Sequence, residues 1–189
     1  GTGTAVVSFT YWNGIKPVSI EAKEGVHTLK IDKGISTENL ETLTLPDNLP
    51  YFEGYFKNNT ILSELDFKNI INVTSQFENC SNLSDVNFKN VINLSAGFEN
   101  CTGLKSIKLN TDYSTGSTSL NPNYKSEHIN ISTLSGCTSL ENITFCGTGT
   151  IKECIPLKDL THDINIVIED GVTAIGGSTF EDCTARMTG

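Results

Sequence analysis

Apolar residues recur along this chain at fixed offsets. Phe56, Phe77 and Phe98 are evenly spaced, and each is followed at offsets of six, nine and eleven by another apolar residue, which gives the pattern L-x-x-L-x-L. The last two apolar positions are two residues apart, which is the period of a strand with one buried face. Polar residues occupy most of the positions between them. The pattern therefore predicts one short strand in every copy of a repeat.

Each copy has one half of constant length and one half of variable length. Eleven residues separate the phenylalanine position from the strand end, whereas 10 to 25 residues lead on to the next copy. A pairing strand tolerates no one-residue slip, because a slip would turn every side chain to the other face. A constant half beside a variable half is typical of a solenoid, in which each coil stacks on its neighbours. The copies begin with Leu40, Leu43 and Leu45 and continue through Ile166 and Ile168.

The expected solenoid is built from parallel strands. The constant halves should form one sheet whose apolar residues point into a core shared by consecutive coils. The variable halves should close the other side of that core. Their expected buried residues are Phe52, Val73, Leu94, Val172 and Ile175.

These motifs resemble those of the BspA-like leucine-rich repeat family, which occurs in surface proteins of bacteria and some protozoa. The stretch IVIEDGVTAIGGSTFEDCT at 166–184 and the stretch NLETLTLPDNL at 39–49 carry the resemblance, which covers about residues 34–184. The two central copies depart from the family pattern because they lack its Ile-Gly pair. The resemblance implies a leucine-rich repeat solenoid: a right-handed coil with a curved parallel β-sheet on the concave side and irregular, short helical or short strand segments on the convex side.

Two segments do not fit the repeat. Residues 1–33 read as a small N-terminal β-rich cap, in which two strands flank a type I′ turn at the Asn-Gly pair 13–14. A separate adhesive module is the alternative reading of this segment. Residues 34–189 contain the repeats, with a long polar loop inserted at about 110–133. After Cys183 the pattern breaks, so either the chain belongs to a longer array or an unusual cap completes it.

The composition disfavours several partners. The 189 residues carry a formal net charge of -9, and the pI is about 4.7. Nucleic acids and anionic membrane surfaces attract clustered Lys and Arg, whereas the 13 basic residues here are scattered. No apolar run is long enough to span a bilayer. The chain starts Gly-Thr-Gly-Thr, so we expect a processed start from which a signal peptide is absent.

The cysteines fall into two groups. Cysteine alternates with Asn59 and Leu160 three residues after the phenylalanine position, which indicates a packing role because a free cysteine behaves as a small buried hydrophobe. These repeat cysteines are Cys80, Cys101, Cys137 and Cys183. Cys146 and Cys154 lie outside the repeat position and are a candidate disulfide across a glycine-rich loop.

The sequence offers no catalytic or metal-binding motif. The three histidines fall in different segments, and no nucleophile, phosphate-binding loop or zinc-ligand spacing accompanies them. We therefore expect no enzyme activity, no cofactor and no metal.

Two regions are candidates for ligand binding. The first is the set of strand positions that alternate with the buried ones, which should face outward on the concave sheet: Glu64, Asp66, Lys68, Asp85, Asn87, Lys89, Lys108 and Thr144. The second is the inserted loop with Tyr113 and Tyr124, because tyrosine is enriched among residues that dominate binding energy. A solvated sheet face and a flexible surface loop are the alternative readings.

The resemblance implies a secreted or cell-surface protein and leaves two functions open. The first is a non-enzymatic interaction protein of the adhesion type, which binds a protein or cell-surface ligand through the concave sheet, the 110–133 loop, or both. Host and matrix proteins are candidate partners. The second is a structural spacer, in which these repeats belong to a larger envelope protein whose recognition module lies elsewhere.

Overall fold

The computed structural model describes residues 4–7, 18–21, 27–31, 37–112, 129–151, 156–176 and 187–188. Two parallel sheets of six strands each dominate the fold. The front sheet contains five strands of the repeat motif and a C-terminal strand that lacks it: β6 (Glu64–Asp66), β8 (Asp85–Phe88), β10 (Ser106–Asn110), β12 (Asn142–Cys146), β14 (Ile164–Ile168) and β16 (Met187–Thr188). The back sheet contains β1 (Thr4–Val7), β3 (Thr28–Ile31), β5 (Tyr51–Tyr55), β7 (Asn72–Gln76), β9 (Asn93–Gly97) and β11 (Ile129–Ile131).

The chain alternates between the two sheets, and each full circuit is one coil. Leu65 pairs with Val86, and Val86 pairs with Ile107, so equivalent buried positions of successive coils lie side by side. Leu109 pairs with Phe145 in the same register, although the longest variable half separates them. The predicted parallel-strand solenoid is confirmed.

The variable halves contain short strands, one of the forms expected there, and these strands pair into a regular sheet. Phe52, Val73 and Leu94 are buried and pair in register, as expected. The next inward positions hold Gly54 and Ser75, which pair with each other. An added Cβ at Gly54 would lie 2.7 Å from the Phe52 ring, so small residues here leave room for aromatic side chains.

Aromatic rings stack along the core from coil to coil. The centroids of Phe56 and Phe77 are 5.4 Å apart, and those of Phe77 and Phe98 are 5.0 Å apart, with ring planes within 5° and 7° of parallel. Phe67 and Phe88 form a second stack at 5.0 Å. All five rings are fully buried. Burying such a side chain contributes about 1.5–3 kcal/mol each, so the stacks are a main source of stability.

The predicted N-terminal hairpin is wrong. β1 pairs with β3 in the back sheet, whereas β2 (Val18–Glu21) pairs with β4 (Leu40–Thr44), and both pairs are parallel. The two strands of the expected hairpin therefore belong to different sheets. The proposed turn residues 13–14 lie outside the described residues. Each of these strands pairs with a strand of the next coil, as stacked repeats do, whereas a hairpin would pair them with each other. The domain division at residue 33 stays a prediction.

Two elements differ from the expected boundaries of the repeats. Residues 129–131, assigned to the inserted loop, form β11, because Ile129 and Ile131 alternate as a buried strand requires. Ile175, expected in the core, is 50% exposed in β15 (Ala174–Ile175), which pairs with β13 (Thr150–Ile151) rather than with the back sheet. Val172 packs against the core as predicted. The remaining short element is a 3-10 helix at Leu157–Asp159.

At the β14 end of the front sheet, a position that points toward the core is exposed to solvent. Ile168, an expected core residue, is 44% exposed. The next strand, β16, pairs only with Ile164 and Asn165 and does not reach it.

Candidate functional site

The front sheet brings the predicted outward positions together in two rows. Asp66, Asn87, Lys108 and Thr144 are directly paired across four neighbouring strands. Glu64 and Asp85 form the start of a second row beside the first. Lys68 and Lys89 follow the ends of their strands. Six of the eight residues predicted from the alternation therefore stand in register on the front sheet.

Two of these residues also shape the backbone. Asp66 Oδ1 accepts a hydrogen bond from the backbone N–H of Lys68 at 2.8 Å, and Asn87 Oδ1 accepts one from the N–H of Lys89 at 3.0 Å. Lys68 has a φ of 49°, a left-handed conformation that such a turn supports. Asp66 and Asn87 are thus turn-forming residues as well as surface residues, and their replacement would disturb the strand ends.

Two of the three lysines predicted for this surface, Lys68 and Lys108, have acidic partners. Lys108 Nζ lies 2.8 Å from Glu169 Oε1, and Lys68 Nζ lies 3.5 Å from Asp47 Oδ1. The hydrogen bond to Glu169 is the main cause that raises the pKa of Lys108 above its usual value. Glu64 and Asp85 lie beside each other without a basic residue between them. The end of the surface near β6 is therefore acidic.

The sequence profile of the BspA type leucine-rich repeat region matches this chain in six copies, over residues 7–119 and 94–186. The chain belongs to this repeat family. BspA-type proteins are generally surface or secreted proteins, typically without enzymatic activity, and leucine-rich repeats generally mediate protein interactions. No curated protein matches the chain.

Among solved structures, the BspA-type chain is similar to a leucine-rich repeat protein from Bacteroides ovatus ATCC 8483. The two are 20% identical, with a TM-score of 0.39, and the similarity covers 88% of this chain. It covers 47% of the other protein, so this BspA-type chain spans about half the length of that structure.

Three of the four repeat cysteines pack in the core as predicted, and the fourth, Cys183, lies outside the described residues. Cys80, Cys101 and Cys137 are free and buried. Each Sγ lies within hydrogen-bonding distance of a phenylalanine carbonyl oxygen in the preceding coil, at 3.0, 2.9 and 3.1 Å respectively. Asn59 occupies the same repeat position and donates to the carbonyl of Leu40 at 2.8 Å. The position is therefore a site of bonding between coils, for which cysteine and asparagine both serve.

The disulfide between Cys146 and Cys154 stays a prediction, because Cys154 lies outside the described residues. Cys146 is buried, and its Sγ lies 3.7 Å from the carbonyl oxygen of Lys89. Burial is the main cause that raises its pKa. Tyr113 and Tyr124 also lie outside the described residues, so the role of the inserted loop stays a prediction.

Sequence reasoning missed a groove at the acidic end of the front surface. Its volume is about 510 Å³, and β4 and β6 form its two sides. Glu41 of β4 joins Glu64, Asp66 and Asp85 along it. No sequence signal indicated the groove, because β4 carries the same apolar motif as the strands that do pair.

Two further features are absent from the described part of the chain. There, no three His, Cys, Asp or Glu side chains are grouped so that they could hold a metal ion. The described residues also include no helix that is long and apolar enough to cross a membrane.

Proposed function

We propose that this BspA-type chain is a non-enzymatic interaction module that binds a protein or surface ligand through the outer face of its front sheet. The observation that carries the proposal is the register: Asp66, Asn87, Lys108 and Thr144 stand in one row on four hydrogen-bonded strands. Their backbones rest on a buried aromatic and aliphatic core. Such a face is preorganised, so binding would cost little conformational entropy.

The face is polar and of mixed charge, which favours electrostatic recognition. Charges at an interface increase the association rate and the specificity more than the affinity. We therefore expect binding to weaken as salt rises, because the screening length falls to about 8 Å at physiological ionic strength. A cell-surface or secreted location, as is typical of the family, would place the face in contact with host or matrix proteins.

A structural spacer is the second candidate, and one observation favours it. Asp66 and Asn87 accept backbone hydrogen bonds, and Lys108 is paired with Glu169, so part of the surface chemistry already has partners within the chain. A spacer would need no ligand.

The test is an array of purified host and matrix proteins probed with the chain, followed by affinity measurement for each hit. Ser106→Arg/Thr144→Arg places two bulky charged groups on the middle of the front face, where both residues are partly exposed. The matched control is Thr74→Arg/Ser95→Arg, which makes the same kind of change on the back sheet, where the two residues pair with each other.

The proposal expects the front variant to lose binding by about tenfold or more while the back variant keeps it, because one obstructed central position can cost over 1 kcal/mol. Equal binding by both variants would remove the front face from consideration. Absence of any hit on the array would favour the spacer.

A further inference from the structure

The front surface is interrupted between β4 and β6. β4 pairs with β2 and β6 pairs with β8, and within residues 37–112 the two facing edges are not paired with each other. Nearly all Cα atoms of one strand lie more than 8 Å from those of the other. Neighbouring strands in a sheet are about 4.8 Å apart, so β4 and β6 are separated by more than the spacing of paired strands.

Side chains hold both ends of this opening. Near the start of β4, Asn59 Nδ2 donates to the Leu40 carbonyl at 2.8 Å. Beyond the end of the strand, Asn69 Nδ2 donates to the Asp47 carbonyl at 2.8 Å. These two hydrogen bonds connect the coils before and after the stretch in which β4 and β6 are not paired with each other. An occupant would enter from the outer face and could pair over only a few residues.

The sides of the opening are acidic, and its floor is apolar. Leu43 lines the opening and is partly exposed, whereas Leu65 lies beneath it and is buried. Glu41 and Glu64 are exposed, one on each edge strand. The lysine of the groove, Lys68, is already close to Asp47. An occupant with basic side chains facing outward and aliphatic side chains facing inward would match both surfaces.

We propose that the opening between β4 and β6 takes up a short extended segment of a partner protein, in which basic residues alternate with aliphatic ones. The inference rests on the proposed function and specifies the partner chemistry. Strand addition to an exposed edge derives its affinity from backbone hydrogen bonds and its specificity from alternate side chains. Here the segment would have an edge on each side. Its outward Lys or Arg side chains would lie near Glu41 and Glu64, as opposite charges do in cross-strand pairs.

The test uses a fluorescein-labelled synthetic peptide in which Lys alternates with Val, and anisotropy reports its binding to the full chain. Two further peptides separate the contributions. N-methylation of every residue removes the backbone N–H donors on both edges, and replacement of each Lys by Glu reverses the charge. We expect the first peptide to bind and the other two to bind at least about tenfold more weakly, since strand addition requires the backbone donors.

Variants of the chain locate the site. Glu41→Lys/Glu64→Lys reverses one charge on each edge without touching a turn residue. Glu99→Lys/Glu141→Lys makes the same change in net charge at two exposed positions elsewhere. The proposal expects a loss of about tenfold or more for the first variant, because opposite-charge cross-strand pairs are replaced by like-charge ones, and little change for the second. Amide hydrogen exchange should slow in β4 and β6 on binding.

Three results would overturn the strand-addition site: equal binding of the N-methylated peptide, equal losses in both charge variants, or protection outside β4 and β6. The proposed function can be judged separately with Ser106→Arg/Thr144→Arg and a protein ligand from the array. If that variant loses the ligand while Glu41→Lys/Glu64→Lys keeps it, the front face binds and the opening does not.

Discussion

At the residue scale, one repeat position accepts chemically different side chains that make the same kind of bond. Asn59 and Cys80 both reach a carbonyl oxygen of the preceding coil from three residues after a phenylalanine-type position. A buried polar group costs free energy unless it is hydrogen-bonded. The carbonyls that these side chains reach lie in the interior between coils, so a donor there stabilises the stack. The thiols are donors in this structure, and their reactivity should be low.

We expect the thiols of Cys80, Cys101 and Cys137 to resist alkylation in the folded chain. Burial is the main cause that raises the pKa of the Cys137 thiol to about 12, and a hydrogen bond with Cys80 is the main cause that raises the pKa of Cys101. At pH 8 both thiols are therefore protonated, and the thiolate is the reactive form. Mass spectrometry after iodoacetamide treatment should find these three cysteines unmodified in buffer and modified in urea.

The same shift predicts how stability depends on pH. A thiol whose pKa is raised on folding favours the folded state below its unfolded pKa of about 8.5, and this contribution is lost as pH rises toward the folded pKa. The free energy of unfolding should therefore decrease between pH 8.5 and about 12. Fast alkylation of the three cysteines in buffer at pH 8 would contradict this account of the repeat position.

At the element scale, asparagines form a ladder at the turn that follows the back sheet. Asn58, Asn79 and Asn100 have φ values of 64°, 61° and 57°, in the left-handed region. Asn79 Nδ2 donates to Asn58 Oδ1 at 2.8 Å, and Asn100 Nδ2 donates to Asn79 Oδ1 at 3.3 Å. Gly136 has a φ of 81° at the corresponding position of the next coil. The turn thus requires a residue that tolerates positive φ, and asparagine adds bonds between coils.

Asn79 variants should separate these two contributions. Asn79→Ala loses the ladder bonds and places a Cβ in the left-handed region, which costs roughly 1–2 kcal/mol by itself. Asn79→Gly loses the same bonds but adopts the conformation easily. Urea unfolding should therefore rank stability as wild type, then Gly, then Ala. Asn82→Ala is a control, since it removes one exposed bond to the Ile61 carbonyl without a positive φ. Equal losses of stability in the Ala and Gly variants would refute the claim that the positive φ at residue 79 adds to the cost.

The sequence predicted the front sheet better than the back sheet, for a physical reason. Front strands place large apolar residues such as Val86 and Phe88 two apart, so the period of two is visible. Back strands place Gly54 or Ser75 at one of their two inward positions, because the aromatic stacks fill the space beside them. A small or polar residue at an inward position hides the alternation, and the stretch then looks like a loop.

The candidate site was predictable only in part. Which side chains face outward follows from alternation, and the rows from Glu64 to Thr144 agree with it. The opening beside β6 depends on how two coils fit together, and Leu40, Leu43 and Leu45 repeat the motif of strands that do pair. The wrong hairpin has a similar cause, because a local Asn-Gly signal does not reveal that pairing with the next coil is available.

At the scale of the whole molecule, the insertion in the sequence interrupts neither sheet. β10 ends at Asn110 and β11 begins at Ile129, yet Leu109 still pairs with Phe145 on the front sheet. Ile129 likewise pairs with Leu94 on the back sheet. Both sheets therefore continue across the insertion with their registers unchanged.

Replacing residues 113–128 with a short Gly-Ser turn should leave the fold intact. The change in the free energy of unfolding should be about 1 kcal/mol or less, since loop-closure entropy depends weakly on length. Circular dichroism and urea unfolding measure the outcome. A deletion of equal length at 82–97, which removes β8 and β9, is the control and should abolish cooperative unfolding. Loss of cooperativity in the loop variant would mean that the insertion contributes to the stack.

Bonds between coils in this chain run from one coil to the same place in the next. The amides of Asn69, Asn90 and Asn110 donate to carbonyls 22, 22 and 21 residues earlier in the chain. Each central coil therefore presents donors on one side and matching acceptors on the other. Such units are interchangeable, and a duplicated coil would carry its own means of attachment. Nothing in this bonding scheme specifies how many coils there must be, so the length of the array can vary by duplication without the invention of a new interface.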